Sequence, residues 1–126
     1  MIGYFKARDI GEKAFDIINK LNLNYIKTER IVCIRSVGSE SRNTVARCHA
    51  LSKIMQKGLH CEPFYVLEVL SERFDKLNEE EKIKIIIHEL LHIPKTFGGG
   101  FRHHNVVNNK AVKRFYAEYK KASVYA

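Results

Sequence analysis

The chain has 126 residues, 45% of them hydrophobic and 29% charged, and its formal net charge at pH 7 is +8. This length and composition predict one globular domain over residues 1–126, and no uncharged apolar run approaches the roughly 20 residues that cross a bilayer. Because residues 1–9 lack the apolar core of an export signal, we expect a cytoplasmic protein that does not engage a membrane.

The N-terminal half predicts a helix followed by strands. Residues 9–23 indicate the first helix, because Asp9 and Glu12 resemble a capping box and apolar residues recur at helical spacing. The β-branched run at residues 31–34 predicts a strand buried on both faces, and a polar loop at 38–43 separates it from a second strand at 44–51. For Arg35 and Arg42 we favour surface ion pairs over contacts with a substrate carboxylate or a phosphate.

A short helical segment at residues 52–59 and a strand at 64–70 follow, the latter being the clearest strand signal in the chain. The three cysteines cannot all pair within one chain and show no C-x-x-C spacing. Small buried thiols in a reducing compartment are therefore the expected state of Cys33, Cys48 and Cys61.

The next segment predicts a helix with strong N-terminal signals. Asn78 can cap it, and residues 79–81 are three acids that complement the helix dipole. The helix carries His88-Glu89-Leu90-Leu91-His92, an H-E-x-x-H pattern. Histidines at i and i+4 share one helical face and can converge on one Zn²⁺ ion. Glu89 is rotated by about 100 degrees from His88. It can therefore stay out of the ligand shell and act as general base on a water at the open position of the metal.

A tetrahedral catalytic zinc has three protein ligands and one water, so the two histidines leave one protein ligand to be identified. Pro94 ends the helix at or near Ile93, and residues 98–100 are three glycines that let the backbone reverse. This reversal can return His103 or His104 to the metal, and we favour His104. The glycine run itself is either a flexible connector or a backbone strip that lines the cleft.

On these motifs the chain resembles a family of small zinc metallopeptidases from phages and other prokaryotic sources, with the pattern H-E-L-x-H-I-P, a glycine-containing turn and a later histidine. The similarity includes residues 35–39, 68–77 and 88–94. In that family the last histidine follows an L-R-x or F-R-x step, which implies His104 as the third ligand and leaves the role of His103 open. More distantly the chain resembles SprT-like zinc peptidases.

The resemblance implies an α+β, zincin-like minimal metallopeptidase: a small mixed sheet, an N-terminal helix, the H-E-x-x-H helix and a C-terminal backing helix. In zinc peptidases generally, an edge strand beside the metal pairs with an extended substrate. By that analogy, the candidate substrate-binding residues are Phe64, Tyr65, Val66 and Leu67. An interior strand without a free edge is the alternative.

The last predicted helix begins at Asn105 or Asn108, ends near Ala122 and has an apolar stripe that suits core packing. Tyr116, Tyr119, Arg102 and His103 are equal candidates for oxyanion stabilisation. The basic charge makes nucleic acid a possible partner beside the peptide substrate, and a DNA-associated or nucleic-acid-binding protein is the alternative function. A non-catalytic structural zinc domain is a further one. The preferred function is a zinc-dependent peptidase with Zn²⁺ held by His88, His92 and His104, and Glu89 as general base.

Overall fold

The computed structural model describes residues 1–124. Its strands are β1 (Gly3–Lys6), β2 (Ile31–Val37), β3 (Ala46–Ala50) and β4 (Tyr65–Leu70). The α-helices are α1 (Arg8–Lys20), α2 (Lys53–Leu59), α3 (Ser71–Phe74), α4 (Glu79–Leu91) and α5 (Asn109–Val124), and the short 3-10 helix Thr28–Arg30 precedes β2. The predicted α+β class is confirmed. No helix within residues 1–124 has the length and apolar character that a membrane crossing requires.

The four strands form one mixed sheet in the order β1-β2-β4-β3. β2 and β4 run parallel, whereas β1 pairs with β2 and β3 pairs with β4 in antiparallel fashion. β1 was not predicted from the residue pattern. β4 lies inside the sheet and β3 forms an edge, so the expectation that the strand predicted at residues 64–70 is an edge strand is wrong.

α1 and α4 pack together on one face of the sheet, and α5 packs on both helices. In β2, Ile31 and Cys33 point into this core, whereas Val32 and Ile34 are only partly buried on the opposite face. The prediction that β2 is buried on both faces is therefore wrong, because helices cover one face alone. All three cysteines are free; Cys33 is buried, and Cys48 and Cys61 are partly buried.

Arg35 forms the surface ion pair that the sequence favours. Its guanidinium group lies 2.9 Å from an Asp9 carboxylate oxygen and 2.7 Å from an Asp75 oxygen. Hydrogen bonds from Arg35 lower the pKa of Asp9 below its usual range. At Asp75 burial raises the pKa, but hydrogen bonds from Arg35 and Ser71 outweigh it and the pKa is again lowered. The pair links β2 to the start of α1 and to the segment after α3.

Candidate metal centre

Local sequence signals position α4, the helix that carries the H-E-x-x-H pattern. The Asn78 side chain accepts a hydrogen bond from the Glu81 backbone N–H at 2.9 Å, which caps the helix as predicted. Apolar residues such as Ile86 and Leu90 bury one side of α4 against the sheet. The helix ends at Leu91 with His92 as its C-terminal cap, shortly before Pro94.

Three histidines meet beside the C-terminal end of α4. One ring nitrogen each of His88, His92 and His104 lies within 4.8 Å of the other two. The Nε2 atoms of His88 and His92 are 3.3 Å apart. Zn–N bonds of about 2.05 Å in a tetrahedron place two ligand nitrogens about 3.3 Å from each other. The three-imidazole donor set and the spacing of His88 and His92 therefore fit a metal ion of this kind.

A backbone hydrogen bond selects the tautomer of His92. Its Nδ1 lies 2.7 Å from the Arg102 carbonyl oxygen, and the Arg102 backbone N–H donates to the His92 carbonyl at 2.7 Å. Because a carbonyl can only accept, the Nδ1 atom carries the proton and the Nε2 lone pair is free. This lone pair points at the His88 Nε2 atom, the orientation that a metal ligand needs.

The local environment keeps His88 neutral. Burial lowers its pKa to about 4, and the neighbouring His92 and His104 lower it in the same direction. Metal ions bind the neutral imidazole. His88 is therefore ready to act as a ligand at neutral pH without first losing a proton.

Glu89 faces a different environment from the histidines. It is 9% exposed, and burial raises its pKa to about 7, with the Cys48 backbone N–H acting in the opposite direction. A carboxyl group with a pKa near neutrality can both accept and return a proton at working pH. The sequence pattern located this residue, but its contact with β3 required the fold.

The glycine segment that leads to His104 is held in place by two side chains. The Tyr65 hydroxyl donates to the Gly100 carbonyl at 2.8 Å and accepts from the Gly99 N–H at 2.9 Å. The Gln56 side-chain amide donates to the Gly98 carbonyl at 3.1 Å. Gly99 has a φ of +106°, and a Cβ atom there would lie 2.7 Å from the Leu51 carbonyl oxygen. This segment is therefore an anchored strip of backbone.

The family described as "Putative phage metallopeptidase" matches residues 2–124. The chain belongs to this family. No curated protein and no solved structure matches this chain significantly. The family description indicates a metallopeptidase, and three histidines of this chain are placed so that they could hold a metal ion.

The structure separates the two candidates for the third ligand and gives partners to the two tyrosines considered for oxyanion stabilisation. His104 lies with the other two histidines, whereas His103 is outside the group of three. The hydroxyls of Tyr116 and Tyr119 on α5 donate to Glu80 on α4 and Asp16 on α1, so both have carboxylate partners on neighbouring helices. The structure therefore gives no support for assigning oxyanion stabilisation to Tyr116 or Tyr119.

The predicted substrate-binding residues occupy positions that do not suit an edge strand. Tyr65 and Leu67 are buried in the core, and Phe64 and Val66 belong to a segment paired with β3. Within residues 1–124, the free edge of the sheet beside α4 belongs to β3 instead. Hydrogen bonds from Leu70 to Val45 and from Leu51 to Phe64 set the register. In this register the backbone groups of alternate residues point away from the sheet, namely Ala46, Cys48 and Ala50.

The phenol of Tyr65 is expected to control how well the third histidine is held. Tyr65→Phe leaves the partly buried Gly99 N–H without its acceptor, so we expect the free energy of unfolding to fall by about 1–3 kcal/mol. Metal affinity should fall as well, since the same backbone segment leads to His104. Thermal unfolding and a metal titration measure the two effects.

Tyr4→Phe is the matched control, because Tyr4 is 65% exposed and loses the same oxygen atom. It should change stability by no more than about 0.5 kcal/mol. Equal effects from both variants would contradict a role for Tyr65 in anchoring the glycine segment.

Proposed function

We propose that this chain is a zinc-dependent peptidase of the H-E-x-x-H type. The observation that carries the proposal is the convergence of three imidazole nitrogens beside a buried glutamate. A closed structural zinc site has no use for such a carboxylate, whereas a hydrolytic site needs a base. His88, His92 and His104 would hold the ion, and the family membership supports the same chemistry.

Each residue of the site then has a distinct task. When bound, zinc polarises the scissile carbonyl and lowers the pKa of the attacking water. Glu89 accepts a proton from that water on its carboxylate and passes it to the leaving amine. The Arg102 carbonyl keeps His92 in the tautomer that presents Nε2.

The substrate of this proposed reaction is an extended peptide that pairs with β3. The Cys48 backbone faces the Glu89 carboxylate, so the free edge of β3 runs past the proposed base. An extended chain added to this edge would find backbone donors and acceptors at Ala46 and Ala50. The scissile bond would then lie between β3 and the histidines.

Removal of the metal tests the proposed function. Untagged protein should contain one zinc per chain by mass spectrometry, which also distinguishes zinc from other metals that imidazoles accept. We expect it to hydrolyse an unfolded protein substrate, to lose that activity after chelation and to regain it with zinc. A folded protein that contains no metal, or hydrolysis that is insensitive to chelation, would contradict the proposal.

A further inference from the structure

A groove lined by cationic side chains lies outside the three-histidine site. It consists of two adjoining hollows of about 530 and 510 Å³ between the turn after α1, the segment after α4 and the start of α5. The hollows share Val106, Ala111 and Arg114. We call this feature the basic groove. Each hollow has the volume of a typical small-molecule site, and the shared residues join the two hollows.

The charge of the basic groove has one sign. Its cationic side chains are Lys95, Arg102, Lys110 and Arg114, and no aspartate or glutamate in the described part of the chain lines it. None of these four cations forms an ion pair within residues 1–124. Several unpaired cations facing one concave surface repel each other, and an anionic ligand would relieve this repulsion.

Aromatic and apolar surfaces lie beside these charges. The half-buried rings of Tyr25 and Phe115 line the larger hollow, together with the apolar side chains of Leu23, Leu91 and Val107. The Arg114 guanidinium lies 4.9 Å from the centre of the Phe115 ring. A site for single-stranded nucleic acid has two components: cations that contact the phosphate backbone, and aromatic rings on which the bases stack. An acidic peptide would use the cations but not the rings, and a duplex would keep its bases away from them.

We propose that the basic groove binds a single strand of nucleic acid through phosphate contacts to its lysines and arginines and base contacts to Tyr25 and Phe115. The groove adjoins the metal centre at Arg102, whose backbone forms two hydrogen bonds with His92. The proposal does not depend on peptidase activity, because the groove contains none of the three histidines.

Arg114 is the best position for a test, because its exposed side chain lines both hollows. Substitution of Arg102 would also disturb His92. Fluorescence anisotropy with a labelled oligothymidylate of about 15 nucleotides gives the dissociation constant of the full-length protein. Using the metal-loaded Glu89→Gln variant as background separates this result from any failure of the proposed hydrolysis.

We expect Arg114→Glu to weaken binding at least about tenfold, and Arg114→Ala to reduce the slope of log K against log salt by about 0.7. Arg42→Glu is the matched control, since Arg42 is exposed, does not line the groove and gives the same change in net charge. Its effect should stay below about twofold. Lys110→Glu is a second groove variant if Arg114→Glu fails to fold.

Three outcomes would overturn the proposal. The first is a wild-type protein that does not bind the oligonucleotide. The second is equal weakening by the groove variants and Arg42→Glu, which would indicate diffuse attraction by the whole surface. The third is competition by polyglutamate of equal charge as strong as that by unlabelled oligonucleotide, which would assign the groove to acidic peptides.

Discussion

Glu89→Gln is expected to reduce turnover by about 10²–10⁴-fold while the protein keeps its metal. Glutamine has nearly the same shape as glutamate and can still accept a hydrogen bond from the Cys48 N–H, but it cannot take a proton from water. Since the group of candidate metal ligands consists of three histidines and does not include Glu89, zinc content should not change. Peptide hydrolysis and metal analysis on the same sample measure both quantities.

The control for this prediction is Glu81→Gln on the same helix. Glu81 is exposed in the first turn of α4, far along the helix from His88. The change removes the same charge and should leave turnover within about twofold, as for a typical surface substitution. Full activity of Glu89→Gln would eliminate the general-base role, and a metal without any hydrolysis in the wild type would favour a structural zinc domain.

His104→Ala should weaken zinc binding by more than about 100-fold, whereas His103→Ala should have little effect. Loss of a direct ligand costs more than loss of a residue that only orients one, for which the typical effect is about 10–100-fold. The ring of His104 lies 4.8 Å from that of His92 and 5.5 Å from that of His88, centre to centre. Competition with a chelator of known zinc affinity gives both constants.

The two adjacent histidines form their own matched pair, since each variant removes one imidazole from the same exposed segment. If His103→Ala weakens zinc more than His104→Ala, the third ligand has been assigned to the wrong residue. Equal weakening would mean that the segment as a whole, and neither imidazole, determines affinity. Circular dichroism of the zinc-loaded variants would identify any loss caused by unfolding.

Features that depend on neighbouring residues could be predicted from the sequence. The cap at Asn78, the end of α4 before Pro94 and the shared face of His88 and His92 all follow from helix geometry over one or two turns. The strand at residues 64–70 was predictable because four of its seven residues are β-branched or aromatic, namely Phe64, Tyr65, Val66 and Val69. His104 was selected with the help of a family resemblance, and the fold brings it to the other two histidines.

The order of strands was decided only in three dimensions. Residues 46–50 and 65–70 both form strands, and no local signal specifies which of them has a free edge. That choice depends on pairing between segments far apart in the chain. β1 was missed for the same reason, because this short and largely exposed segment is held as a strand by its pairing with β2.

By itself the sequence determined the helix, the pair of histidines on it and the glutamate between them, since these depend on a fixed spacing within one element. The tertiary structure decided what surrounds them. Burial of Glu89 beside β3, the tautomer of His92 set by Arg102 and the glycine segment held by Tyr65 join residues 10 to 41 positions apart. Contacts across such separations arise when the chain packs into one core, and no residue pattern along the chain records them.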